Sequence, residues 1–178
     1  KRKKYDHLFR VAVNNKMISI SLRKRFKPKL NFNLKLINYK RIEPEYKNLK
    51  YKKILNILNK MDTTKSDIAL YKNNKILESG TSNLLFIKDN KIYSPINNFY
   101  KGTTLKFFTK KIKKIKKINI FTDSLNEYDE IIIIGSGKGV TSVSSIQKTL
   151  WKRKSLKNYR ILSKIYQQAI TSCPRYNG

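Results

Sequence analysis

Apolar and polar residues alternate over Phe9 to Val13 and again over Met17 to Leu22, and the break between them, Asn14-Asn15-Lys16, has turn chemistry. That pattern predicts a β-hairpin. Asn31 to Ile37 reads as a third strand. Beyond Pro44 the period changes: Tyr51, Ile54, Leu55, Leu58 and Met61 recur at helical spacing, predicting an amphipathic helix entered just after Lys47. Short β-prone runs return at Ile68 to Tyr71, Lys75 to Glu78, Leu84 to Ile87 and Lys91 to Tyr93, with breaks at Asn73-Asn74 and Asp89-Asn90. An antiparallel meander is the expectation. Thr104 to Ile118 sets Phe107, Phe108, Ile112 and Ile115 among lysines and predicts a second amphipathic helix. Glu130 to Ile134 reads as a buried strand running into Gly135-Ser136-Gly137-Lys138-Gly139. A strand near Val143 and a helix from about Ser155 to Ile170 complete the pattern.

With 178 residues and 39% hydrophobic content the chain has enough apolar material for one ordinary domain. One cysteine, Cys173, excludes an internal disulfide framework and a cysteine-cluster metal site, and fits a reducing, cytoplasmic setting. The longest aliphatic run, Ile131 to Ile134, is far short of a membrane span. The basic start Lys1-Arg2-Lys3-Lys4 leads into Tyr5-Asp6-His7 rather than an apolar signal core, and it lacks an initiator Met, so residues are expected to precede it.

The formal charge of +30 raises the possibility of a basic nucleic-acid-binding protein, with 11% aromatics to stack on bases. Composition offers another origin. Lysine, asparagine and isoleucine all have A/T-rich codons, and the lysines are scattered through every segment, whereas a nucleic-acid footprint concentrates them on one face or tail. No specific nucleic-acid partner is expected.

Three places hold candidate chemistry. The glycine stretch follows a strand as a nucleotide loop does, but Gly139 stands where a Walker loop needs Ser or Thr, and Val140 where a dinucleotide fingerprint needs Gly. Its consecutive small residues can offer backbone N–H groups to an anion; a plain turn explains it equally well. Gly102-Thr103-Thr104 opens the second predicted helix, where unpaired amides and the helix dipole favour a phosphate, although a simple N-cap is the commoner use. Glu78 ends a predicted core strand, and a half-buried carboxylate needs a positive partner: a protonated ring nitrogen, or simply a lysine.

Taken in order, Lys47 ahead of a helix, Glu78-Ser79-Gly80-Thr81-Ser82-Asn83 with Leu84-Leu85-Phe86, Lys91-Ile92-Tyr93-Ser94-Pro95, Gly102-Thr103-Thr104, and Asp129-Glu130 leading into Gly135-Ser136-Gly137 resemble the class IV aminotransferases, the fold-type IV enzymes dependent on pyridoxal 5'-phosphate. The resemblance runs from about Arg10 to the C-terminal helix and is most specific from Glu78 to Pro95. It implies an α+β fold with a barrel-like sheet and flanking helices. Residues 1–42 would be a remnant of the family's small N-terminal domain, and 43–178 the cofactor-binding domain. Lys47 would bond the cofactor covalently and Tyr51 would meet its phenolic oxygen. Glu78 would pair with the ring nitrogen, Thr103, Thr104 and Ser136 would hold the phosphate, and the Gly137 amide would meet the substrate carboxylate.

The chain also departs from the family. Lys50 stands where Asn is frequent, which brings a second lysine near Lys47; Leu105 replaces a frequent Arg, and Ser142 a frequent Pro. The resemblance also implies that most of the small domain, with an arginine that usually completes the phosphate site, would not be covered by these residues. The glycine loop, Trp151, Ser155 and Tyr159 look more like aminodeoxychorismate lyases than branched-chain aminotransferases. The resemblance therefore implies a lyase forming 4-aminobenzoate and pyruvate for folate biosynthesis, with branched-chain or D-amino-acid aminotransferases as the alternatives. An amino-acid-like substrate and a homodimer follow from the same resemblance.

Overall fold

Two sheets organise the computed structural model, which describes residues 7–25, 27–112 and 114–173. The basic start at Lys1 to Lys4 lies outside these residues. β1 (His7–Val13) and β2 (Ile18–Lys24) form the expected hairpin as a separate antiparallel pair. Its cross-strand partners Phe9 and Leu22, Val11 and Ile20, and Val13 and Ile18 all leave their apolar side chains exposed.

The remaining strands are β3 (Phe32–Asn38), β4 (Ser66–Lys72), β5 (Lys75–Ser79), β6 (Asn83–Lys88), β7 (Lys91–Pro95), β8 (Ile115–Ile118), β9 (Glu130–Gly135) and β10 (Gly139–Ile146). They make one eight-stranded sheet in the order β5-β4-β3-β10-β9-β6-β7-β8. β3, counted with residues 1–42 on sequence grounds, sits in its centre between β4 and β10. The meander resolves into two tight hairpins on opposite flanks, β4–β5 and β6–β7. Asn73, Asn74, Asp89 and Asn90 all adopt positive φ in their turns, as two-residue hairpin loops require. The sheet curls until its flanks meet: the Ile76 amide donates to Ile120 O at 2.8 Å, and Lys75 bridges Phe121.

Period-two side chains then separate two cores. Leu84, Phe86, Ile131 and Ile133 turn into the curl with Phe32, Leu34, Val143 and Trp151. Leu85, Ile87, Ile132 and Ile134 face outward, where α2 (Thr103–Lys111) and α3 (Lys157–Thr171) cover them with Leu105, Phe108 and Leu162. A third group joins Ile54 and Leu58 of α1 (Lys52–Leu58) to Ile68 and Leu70. Fully buried Glu130 accepts the amides of Asn158 and Tyr159, both at 2.8 Å, and so holds the start of α3.

Two sequence expectations change. The second helix ends at Lys111, and Ile115–Ile118 is a strand lying parallel to β7. The helical spacing there is outweighed by an open sheet edge and by β-branched isoleucines, which suit a pleated surface. The first helix begins at Lys52 rather than after Lys47, and Tyr51 is its N-cap.

Candidate functional site

Glu78 lies near the C-terminal end of β5, almost wholly buried. Its partner is an arginine from the segment after β3. Arg41 Nε donates to Oε1 at 2.6 Å and Arg41 Nη2 to Oε2 at 3.1 Å, a bidentate fork that a lysine cannot supply. Oε2 also accepts the Tyr100 amide at 3.3 Å. Burial pushes the carboxyl above the ordinary glutamate range, while Arg41 and the Tyr100 amide pull it back. An ionised carboxylate has about four lone-pair directions. One direction on Oε1 is therefore left for a further N–H donor.

The segment that Glu78 holds leads into α2. Gly102 is the N-cap, and the Lys106 amide makes the first bond back to Gly102 O. The amides of Thr103 and Thr104 thus precede the helical ladder, at its positive end. Thr104 is buried and Thr103 exposed. Asn83, at the start of β6, bonds both Tyr100 O and the Gly102 amide. A Cβ at Gly102 would lie 2.9 Å from Asn83 Oδ1, so only glycine fits here without displacing that side chain.

The Gly135–Gly139 turn joins β9 to β10. Gly139 has φ +66°. A Cβ at Gly135 would come within 2.5 Å of Ser82 Oγ, which places this turn directly on the Ser79–Asn83 turn. An internal ion pair fastens the two together. Lys138 Nζ lies 3.0 Å from Oδ2 of wholly buried Asp67 and 3.1 Å from Thr81 Oγ1. Gly137 O accepts Arg25 Nε at 3.1 Å, and Ser136 is exposed.

Lys47 and Tyr51 belong to the irregular connection before α1. Asn48 Nδ2 closes that connection on Ile42 O and Glu43 O, so it folds back on the stretch carrying Arg41. The two nearby lysines differ: Lys50 is ion-paired with Glu43 at 2.8 Å, while Lys47 is exposed with no carboxylate partner among the described residues. Tyr51 is half-buried against the α1 core.

Several expectations shift in the structure. The carboxylate partner is Arg41, not a surface lysine, and nothing in the local pattern around Arg41 pointed to it. Trp151 is core, its Nε1 donating to Tyr128 O at 2.9 Å. Tyr159 takes part in holding α3 through its amide. Leu105 packs in the outer core. Two surface cavities, about 560 Å³ beside α1 and about 380 Å³ between Lys40 and Asn119, contain none of the candidate residues. The candidate residues lie on turns and element ends gathered around the buried Glu78 and Thr104. Chemically it offers an acceptor for a ring N–H at Glu78, and amides for an anion at α2 and at the glycine turn. Among the described residues no group of His, Cys, Asp and Glu is placed to hold a metal ion, and no helix is long and apolar enough to cross a membrane.

The sequence profile of the amino-transferase class IV family matches residues 6–146. No curated protein matches the chain. Among solved structures, a Legionella pneumophila protein named as a 4-amino-4-deoxychorismate lyase superposes with TM-score 0.70 at 17% identity, over 85% of this chain and 60% of its own. A branched-chain aminotransferase from Thermoproteus uzoniensis with norvaline gives 0.70 at 12%, over 86% and 56%. A Brucella abortus aminotransferase bound to pyridoxal phosphate gives 0.67 at 16%, over 85% and 59%. The chain thus spans about 60% of the length of such structures.

Proposed function

Because the chain belongs to the class IV aminotransferase family, we propose that it is the cofactor-binding part of a pyridoxal-phosphate-dependent enzyme acting on an amino-acid-like substrate. The observation that carries this reading is the buried Glu78, held by Arg41 and joined through Tyr100 to the start of α2. One carboxylate thereby ties a ring-nitrogen acceptor to an anion cradle. The donor set fits the cofactor: Glu78 Oε1 retains a lone pair for the ring N–H, and the Thr103 and Thr104 amides, with the glycine turn at Ser136, suit a phosphate dianion.

Bound pyridoxal phosphate supplies an electron sink for the charge left at the substrate Cα when its proton departs. The chain supplies the rest. Lys47 would hold the cofactor through its amine and, when free, would serve as general base for the substrate Cα proton. Glu78 would hold the ring nitrogen protonated, Tyr51 would meet the phenolic oxygen, and the Gly137 amide would orient the substrate carboxylate.

The reaction within this reading is the lyase one, 4-amino-4-deoxychorismate to 4-aminobenzoate and pyruvate. It is supported by the lyase-like glycine turn and by the Legionella pneumophila structural match. A homodimer in the cytoplasm belongs to the same proposal. The test is incubation of the protein with the cofactor and aminodeoxychorismate, or separately with branched-chain or D-amino acids and 2-oxoglutarate. Release of pyruvate with 4-aminobenzoate is expected. Exchange of amino groups without release of 4-aminobenzoate would make the enzyme an aminotransferase, and activity in neither assay would refute the reading for this chain.

A further inference from the structure

Of the residues that surround the site, Asn83 is one to which the resemblance assigns no role. Its side chain is nearly inaccessible, and both ends of the amide are used on one stretch of backbone. Nδ2 donates to Tyr100 O at 2.7 Å, and Oδ1 accepts the Gly102 N–H at 3.1 Å. Glu78 holds the same stretch by the Tyr100 N–H. The connection from β7 to α2 is therefore tied at successive polar groups to the two ends of the Ser79–Asn83 turn. Gly102 is spent on Asn83, which leaves the amides of Thr103, Thr104 and Leu105 ahead of the first helical bond, the first two of them nearest the N-cap.

We infer that Asn83 is a positioning residue for cofactor binding: it sets the Thr103 and Thr104 amides at a fixed distance from Glu78, so that phosphate and ring nitrogen are met together. This rests on the reading of the site as a pyridoxal phosphate cradle. The amide is required because one short side chain must donate to a carbonyl and accept from an N–H simultaneously. Aspartate cannot donate, and alanine does neither. Gly102 is the counterpart, since a methyl group there would displace Asn83 Oδ1.

The test compares dissociation constants for pyridoxal phosphate and for pyridoxal, which lacks the phosphate, measured by visible absorbance on the full chain. Asn83→Ala and Asn83→Asp are expected to weaken pyridoxal phosphate binding by about tenfold or more, the size of a lost charge-assisted contact, while changing pyridoxal binding by less than about twofold. Gly102→Ala is expected to give the same phosphate-selective loss with Asn83 intact. Circular dichroism of each variant reports folding. Equal loss of both ligands, unchanged binding of both, or unfolding of the Asn83 and Gly102 variants alike would overturn the inference and leave Asn83 a purely structural residue. A wild-type chain that binds neither ligand would sink the cofactor reading itself, and this inference with it.

Discussion

Removing the amine of Lys138 tests how the two turns of the site are joined. Asp67 has no exposed surface, and Lys138 retains only 13% of its side-chain exposure. Their ions are 3.0 Å apart, with Thr81 Oγ1 bridging them at 3.1 Å from Lys138 Nζ and 3.4 Å from Asp67 Oδ2. Lys138→Met leaves a buried carboxylate with the Ile68 amide at 2.7 Å and the Thr81 hydroxyl. Stranding a buried charge in this way costs about 3–5 kcal/mol. For a domain of this size that corresponds to a fall in Tm of about 6–20 °C. Lys88 is the control: it pairs with Glu127 at 2.7 Å with both side chains about half exposed, and Lys88→Met should leave the unfolding midpoint nearly unchanged. The double variant Asp67→Asn, Lys138→Met removes both charges and should recover most of the loss. Urea unfolding measures all of these as shifts in midpoint at constant slope. A Lys138→Met cost no greater than that of Lys88→Met, or a double variant no better than the sum of its singles, would refute the reasoning.

Borohydride reduction of the protein with pyridoxal phosphate, followed by peptide mapping, should place the pyridoxyl group on Lys47; recovery on Lys50, whose amine is paired with Glu43, would overturn the assignment. Glu78→Gln should bind the cofactor and lose most turnover, because a neutral amide holds a ring proton poorly; near wild-type turnover would remove Glu78 from that role. Burial raises the Glu78 carboxyl, so the folded chain keeps its proton to higher pH than the unfolded one, whose value is about 4.5. The stability from this group is complete below that value and is lost as pH rises through the folded value. Urea unfolding of wild type relative to Glu78→Gln should therefore show stability falling with pH above about 4.5, further still with Arg41→Met, and a difference rising with pH would contradict the assignment. Despite the +30 charge, nucleic-acid binding should be weak and indifferent to sequence at physiological ionic strength; tight, saturable binding of one sequence there would restore the basic-protein alternative.

What the sequence showed of this fold depended on how local the cause was. The run Ile131 to Ile134 is buried throughout, as an unbroken aliphatic run implies, and Asn73-Asn74 and Asp89-Asn90 mark turns because their side chains tolerate positive φ. α3 follows its apolar stripe from Leu162 to Tyr166. Long-range pairing was hidden. Nothing near Lys75 signals that β5 closes against Ile120 and Phe121, and the lysines around Ile115 and Ile118 concealed an edge strand behind helical spacing. In the candidate site, Glu78 and Gly102 stood out by residue type and order. Arg41, Asn83 and the Asp67–Lys138 pair act through partners 37, 19 and 71 residues away respectively (78 − 41 = 37, 102 − 83 = 19, 138 − 67 = 71), and single-residue pattern carries no such information.

The central pairing of β3 with β10 has a consequence for the order in which the chain can assemble. β3, β4 and β5 are complete by Ser79, and β6 to β9 by Gly135, and apart from the short closure of Ile76 and Lys75 on Ile120 and Phe121 the strand pairing that joins the two groups runs through β10, at Val143 with Phe32 and Ile146 with Leu34, across a register irregularity. During synthesis the first group must wait for the last strand with its middle edge unpaired. Closing that seam encloses more than a hundred residues, an entropic cost that local hairpins do not face. Ser144 and Ser145, whose hydroxyls bond Phe32 O and Asn33 Oδ1, secure the seam once it has formed. The two hairpins thus close over short loops at little entropic cost, and the centre of the sheet over the longest.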